Sequence, residues 1–240
     1  MPRAVCLTNV AHEGPGLVGE LLGEAGYRVE IVEAFRGEAL PVDLGEKDVL
    51  VVMGGPMGVA DIGKPEFPWL APVVDLLRAR LAKDWPNIGV CLGMQLIAHA
   101  AGAKVVPMTD GEGRRLREVG WGQIDFVGTD TITRGLPASM EVLHWHGDGC
   151  SLPAGASLLA STKVWPVQMF RLGRSFGMQF HPEIDGATAC VWAQEDAAFV
   201  EAANGSDGVR RLQEASPLAA QRTYALRRRL LLQAIEAVTA

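Results

Sequence analysis

Along the first hundred residues, hydrophobic positions fall into short blocks of two kinds. Residues 3–9 (RAVCLTN), 28–33 (RVEIVE) and 48–53 (DVLVVM) are brief runs rich in β-branched residues, and the stretch 17–26 (LVGELLGEAG) between the first two has helical spacing. A further strand fits Ile88–Val90. A helix follows from about Leu92 to Ala101, stopped by Gly102, and then a strand in AKVVPM at 103–108. Strands alternating with helices predict βαβ units and a largely parallel sheet covered on both faces.

From about residue 119 the pattern changes. GWGQIDFV, MEVLHWHG, SLLASTK, VQMFRLG and SFGMQF are short, turn-bounded strands, expected as mixed or antiparallel additions to the same sheet. The last fifty or so residues return to helical periodicity, broken by NGSDG at 204–208. Leu226, Leu230 and Ile235 share one face of the terminal helix, with arginines on the other. The dense basic run Arg227, Arg228 and Arg229 is therefore expected on a solvated face. No repeat or linker-like stretch divides the chain, which predicts one domain over 1–240. Its helical C-terminal tail, about 187–240, would cover the sheet or meet a second copy in a homodimer.

Composition narrows the function classes. The 240 residues are 48% hydrophobic with a net charge of -6, which suits a buried α/β core and argues against a nucleic-acid partner, since that needs a clustered positive surface. The opening MPRAVCLTNV lacks a signal peptide's apolar core, and no apolar run reaches eighteen residues, so a cytoplasmic protein with no membrane partner is expected. Cys6, Cys91, Cys150 and Cys190 are scattered, without the CxxC pairing of zinc or redox sites.

One cysteine stands apart. Gly89-Val90-Cys91-Leu92-Gly93 has the spacing of a nucleophile elbow, with small flanking residues that permit a strained strand-to-helix turn. At a helix amino end the peptide dipoles favour a thiolate, and the N–H of Leu92 is placed to stabilise an oxyanion. Taken alone, the spacing leaves a buried structural cysteine as an alternative. A partner base comes from SFGMQFHPEI at 175–184. Pro182 biases His181 to an extended conformation, in which His181 and Glu183, two residues apart, point the same way. Glu183 would then hold the imidazole that serves Cys91. In VVMGGPMGVAD at 51–61, the unshielded amides of Gly54-Gly55-Pro56 offer a second oxyanion donor. Phosphate binding fits less well there, because neither GxGxxG nor the Walker lysine follows.

His144 and His146 have the HxH spacing that metals use, but no carboxylate or cysteine pattern completes a site, so neither a metal nor a cofactor is expected. His12 and His99 are isolated, and Trp69, Trp121, Trp165 and Trp192 are expected to pack rather than to line a ligand site.

In the order GGP, GVCLGMQ and QFHPE, these pieces resemble the class I (triad) glutamine amidotransferase family over roughly residues 48–185. EVGW at 118–121 and HWHGD at 144–148 are similar to stand-alone members akin to the amidotransferase part of GMP synthase. The resemblance implies Cys91 as nucleophile, His181 as acid and base, and Glu183 as its orienting carboxylate. It implies the amides of Gly55 and Leu92 as oxyanion hole, and Gln95, Gly54, His144 and Trp145 as substrate contacts. Leu143-His144-Trp145 departs from the stretch that synthase-bearing members show before HGD. The implied activity is hydrolysis of the glutamine side-chain amide through a cysteinyl γ-glutamyl thioester. Ammonia would pass to a separate synthetase, because the fifty-five or so residues after His-Pro-Glu hold no nucleotide motif. The alternatives are a γ-glutamyl peptidase and a non-catalytic binding subunit, whose usual mark would be loss of a triad residue. Pattern and resemblance together predict an α/β fold: a three-layer, flavodoxin-like, open and mostly parallel sheet with helices on both faces and added antiparallel strands.

Overall fold

Four apolar segments, β1 (Arg3–Thr8), β2 (Arg28–Glu33), β3 (Val49–Val52) and β4 (Asn87–Val90), pair in parallel with β11 (Ser175–Met178) in the order β2-β1-β3-β4-β11. The computed structural model describes residues 1–240. Beyond β11 the same sheet continues antiparallel through β10 (Met169–Leu172), β9 (Ser157–Ser161), β6 (Glu118–Phe126) and β7 (Ser139–His146), making nine strands. The parallel half has the flavodoxin-like order.

The period of two along each strand decides which layer a side chain joins. Ala4 and Cys6 of β1, with Val49 and Val51 of β3, face α1 (Gly16–Glu24) and the long α6 (Gly208–Thr239), which contribute Leu21, Leu22, Leu230 and Ile235. Val5, Leu7, Leu50 and Val52 face the other way, against Val73, Val74 and Leu77 of α2 (Leu70–Leu81) and Leu96 and Ile97 of α3 (Leu92–Ala100). A smaller third cluster joins α4 (Gly186–Glu195) and α5 (Ala197–Asn204) to β7 through Trp192, Val200 and Leu143. No helix is long and apolar enough to cross a membrane.

Two expectations are corrected. The strand in 103–108 forms as β5 (Val105–Pro107) but leaves the main sheet, pairing antiparallel with β8 (Asp148–Cys150), a strand the hydrophobic pattern did not reveal. Its residues are half-buried to exposed, and Pro107 has no N–H to give a central ladder. The five later strands are mixed, as expected: β11 is parallel to β4, because the β10–β11 hairpin, turning through Gly173 at φ +55°, returns the chain to the parallel half. Arg227 is not on a solvated face. It is 2% exposed, and its guanidinium donates to the carbonyls of Pro182 (2.6 Å), Ile184 (2.9 Å) and Ala220 (2.9 Å). Arg228 and Arg229 lie farther out on α6, reaching Glu24 and the Arg134 carbonyl.

Candidate active site

Cys91 ends β4 and caps α3 at φ 51°, ψ -108°, a left-handed-side conformation that a residue with a Cβ rarely takes. The flanking glycines make the turn sterically feasible. A Cβ on Gly93 would lie 1.9 Å from the Val52 carbonyl oxygen, and one on Gly89 would lie 2.5 Å from the Gly93 carbonyl carbon. The turn is fixed by the Cys91 N–H donating to the Met178 carbonyl at 2.8 Å and the Gln95 N–H donating to the Cys91 carbonyl at 3.1 Å. As first residue of α3, Leu92 has an N–H without an acceptor in the helix.

His181 follows β11, the strand beside β4. Its N–H donates to the Leu143 carbonyl at 2.8 Å, tying the loop to β7. Nδ1 lies 2.8 Å from Glu183 Oε1, and both side chains are 1% exposed. Nε2 is buried and makes no well-aligned hydrogen bond, but the thiol of Cys91 is close enough to act on the ring. Cys91 Sγ also lies 3.8 Å from the Trp145 carbonyl oxygen. Burial alone would lower the His181 pKa. The charge of Glu183, its acceptance of a hydrogen bond from Nδ1 and the nearby Cys91 sulfur outweigh it and hold the ring well above the ordinary imidazole value. Trp192 packs edge-on at 4.9 Å between ring centroids. Behind this loop the Leu17 N–H donates to the Glu183 carbonyl at 3.1 Å, and Arg227 holds the carbonyls on either side of Glu183.

Cys91 and His181 open into a cavity of about 520 Å³, lined also by Gly55, Leu92, Gln95 and Trp145. The glycine turn after β3 is held by Asn9, whose amide donates to the Met53 (2.9 Å) and Gly54 (3.0 Å) carbonyls. Gln95 Nε2 donates to Gln179 Oε1 at 3.2 Å and to the Asp148 carbonyl at 3.3 Å. Two residues expected to touch substrate do not face the cavity. Gly54 is screened by Glu13, whose Oε2 would lie 2.2 Å from a Cβ built there. His144 sits one rung deeper in β7 with its ring against Gly122, so His146 lines the cavity instead.

Several lining residues escaped the sequence reading. Trp192 was expected only to pack, and His12 to be isolated, yet both face the cavity. So does Glu13, in the loop between β1 and α1; its side chain is 14% exposed, and burial pushes its pKa up to about 7 against the opposing influence of His181. The sole local sign was a carboxylate ahead of the Pro15-Gly16 helix start, which is not a recognisable motif. Glu118 also supplies the carboxylate that the HxH pair lacked in sequence: ligand-type atoms of Glu118, His144 and His146 lie within 4.8 Å of one another. Glu118 Oε2 accepts from Gln168 Nε2 at 2.6 Å and faces His146 Nε2 at 3.4 Å, an arrangement suited to a buried polar cluster.

A family model described as glutamine amidotransferase class-I matches residues 17–189. GMP synthase (glutamine-hydrolyzing) of Syntrophomonas wolfei is 35% identical over 161 residues, 63% of this chain and 29% of that protein. The chain thus spans less than a third of the length of that relative. The glutamine amidotransferase-like protein YfeJ of Salmonella typhimurium is 30% identical over 187 residues, 75% of each chain. Among solved structures, a glutamine amidotransferase from Thermotoga maritima superposes with a TM-score of 0.83 at 26% identity, covering 99% of this chain and 98% of the other. Elbow, histidine loop and glycine turn thus sit on a shared scaffold, and the chain belongs to the class-I glutamine amidotransferase family.

Proposed function

We propose that this chain hydrolyses the side-chain amide of glutamine through a γ-glutamyl thioester on Cys91. The observation that carries this is the buried His181–Glu183 pair, with an unpartnered Nε2 turned toward a cysteine at a helix amino end. Cys91 Sγ attacks the amide carbon while its proton passes to His181 Nε2. Glu183 Oε1 keeps the other ring proton on Nδ1 and favours the imidazolium. The developing oxyanion takes the N–H groups of Leu92 and Gly55. His181 then gives its proton to the departing nitrogen, and a water deprotonated by His181 Nε2 cleaves the thioester, releasing glutamate; the proton held on Nε2 restores the thiol. Gln95 and Trp145, on the cavity wall, position the γ-glutamyl group. Similarity to GMP synthases supports delivery of ammonia to a separate synthetase.

The test is ammonia release from glutamine by the purified chain, with covalent labelling of Cys91 by a glutamine-like chloroketone. Cys91→Ala is expected to lose both, and full activity in that variant would refute the assignment. One observation favours a second substrate class. A cavity of about 520 Å³ lies within the range that encloses ligands larger than a single free amino acid, so γ-glutamyl amides with larger leaving groups fit.

A further inference from the structure

Charge around the cavity is unevenly distributed. At one end Arg115 pairs with Asp148 at 3.1 Å, next to the carbonyl that Gln95 contacts. Asp61 is likewise neutralised, by Lys64 at 2.6 Å. At the other end stand Glu13, Glu195 and Asp196, none of which forms an ion pair with a lysine or arginine. Their shared neighbour is His12, whose ring lies 3.9 Å from Glu13 and 3.8 Å from Glu195.

Glu13 of this acidic group stands beside the ring of His181. The departing nitrogen must take its proton from His181 Nε2, an atom with no partner on a side chain 1% exposed, which opens into this same cavity. Glu13 borders that edge of the ring: a single point built on Gly54 lies 2.2 Å from Glu13 Oε2 and 3.2 Å from His181 Cε1, the carbon bonded to Nε2. The rings of Trp145 and Trp192, 5.7 Å apart and edge to face, form an aromatic wall beside it, and Trp145 Nε1 donates to Asp196 at 3.1 Å. Carboxylates with aromatic faces are the surroundings that ammonium groups seek. Burial, and after it the nearby carboxylates of Glu183 and Asp196, push the Glu13 pKa up against the pull of His181, so a cation arriving beside Glu13 would favour its ionised form.

Resting on the amide hydrolysis proposed above, we infer that the leaving-group end of the cavity selects a positively charged amine, so that γ-glutamyl amides of diamines are preferred over γ-glutamyl peptides. The leaving group of a γ-glutamyl peptide carries a free carboxylate, which Glu195, Asp196 and the ionised form of Glu13 repel. In a diamine amide the distal ammonium keeps its charge throughout. The amide C–N bond breaks as the C–S bond forms, and the proton on His181 goes to the departing nitrogen. Water then supplies the hydroxyl for the acyl group and the proton for the thiol.

The experiment compares kcat/KM of the purified chain for glutamine, γ-glutamylmethylamide, the mono-γ-glutamyl amide of diaminobutane, and γ-glutamylglycine, whose leaving groups are small, neutral, cationic and anionic. The diamine amide should exceed γ-glutamylglycine by about tenfold or more at low ionic strength, with the gap narrowing as salt is added. Glu13→Gln and the rim variant Glu195→Gln should each narrow the ratio of cationic to neutral substrate, a readout that a purely structural role would not move. A ratio that favours the anionic substrate, or one unchanged in both variants, overturns the inference while leaving amide hydrolysis in place. So does labelling of Cys91 by the chloroketone without turnover of the diamine amide. Absence of both turnover and labelling overturns the proposed function itself.

Discussion

Replacing Gly93 by alanine should cripple the site from a position that touches no substrate. The new Cβ would lie 1.9 Å from the Val52 carbonyl oxygen, 2.6 Å from its carbonyl carbon and 3.1 Å from its Cβ. Cβ contacts below 3.0 Å are essentially never seen, so α3 must retreat from β3 by about 1.1 Å. No flexible side-chain tip can give way, because the blocking atoms are the backbone of a strand paired on both sides. Overpacking of this kind costs about 1–3 kcal/mol. Cys91 caps the displaced helix, and a shift of about 1 Å at a reacting group costs on the order of a hundredfold in rate. Urea denaturation and kcat/KM for glutamine measure the two effects. Gly102→Ala, at the other end of α3, is the control: φ is +85° but nothing lies within 4 Å of the new Cβ, so it should lose about 1 kcal/mol of stability and no activity. A Gly93→Ala protein with wild-type stability and kcat/KM within threefold would show that the helix need not seat against β3, and the elbow argument would fail.

Glu183→Gln should lower kcat about a hundredfold or more and move the alkaline limb of the kcat/KM profile to lower pH, because the carboxylate that favours the imidazolium is gone; an unmoved limb would separate Glu183 from His181. Arg227→Met leaves the Pro182 and Ile184 carbonyls without their donor and should cost about 3 kcal/mol in urea denaturation along with a fall in kcat. Arg227→Lys should rescue neither effect fully, since one ammonium cannot span the acceptors that the guanidinium fork reaches. His144, held down to about 4 by burial and then by the neighbouring His181, stays neutral in the fold while the unfolded chain protonates near 6.5. The unfolded state therefore binds more protons between these values, and stability is lost as pH falls through that window. Relative to His144→Gln, the wild type should lose about 1.4 kcal/mol per pH unit from about pH 6.5 to 4; parallel curves for the two proteins would refute the neutral assignment.

The local pieces of the site were legible because each depends on a few adjacent residues. Gly89 and Gly93 around Cys91 announce a turn that admits no other side chains, and Pro182 fixes the separation of His181 and Glu183. What stayed hidden depends on distant neighbours. Arg227 sits in a basic run indistinguishable by sequence from a solvated face, and only the carbonyls of the histidine loop, 43–45 residues away, account for its burial. Glu118 reaches His146 because β6 and β7 pair Glu118 with His146 in register, a relation that no spacing within one strand reveals. Glu13 enters the cavity from the β1–α1 connection, Trp192 from α4 and Asp196 from the junction of α4 and α5, so none carried a local signature.

Strand order explains why these connections meet. In the parallel half, β1, β3, β4 and β11 are successive neighbours, so their carboxyl ends lie side by side on one edge. Pairing of Val90 with Met178 places Cys91 one residue past the register and His181 three past it, on adjacent strands. The glycine turn leaves β3 on the near side of β4, and β1 feeds Asn9 and then Glu13 into the same crevice. Ligand sites of open parallel sheets gather at this edge because every strand delivers its loop there. The antiparallel extension completes the enclosure: the histidine loop pairs Leu143 with His181, so β7 brings Trp145 and His146 over the mouth. The proposed nucleophile and base thus follow adjacent strand ends of the parallel half, whereas Trp145, on the antiparallel extension, Glu195 and Asp196, at the end of α4, and Glu13, in the β1–α1 connection, line the rest of the cavity. A scaffold divided in this way can keep one chemistry while its loops change which amine leaves.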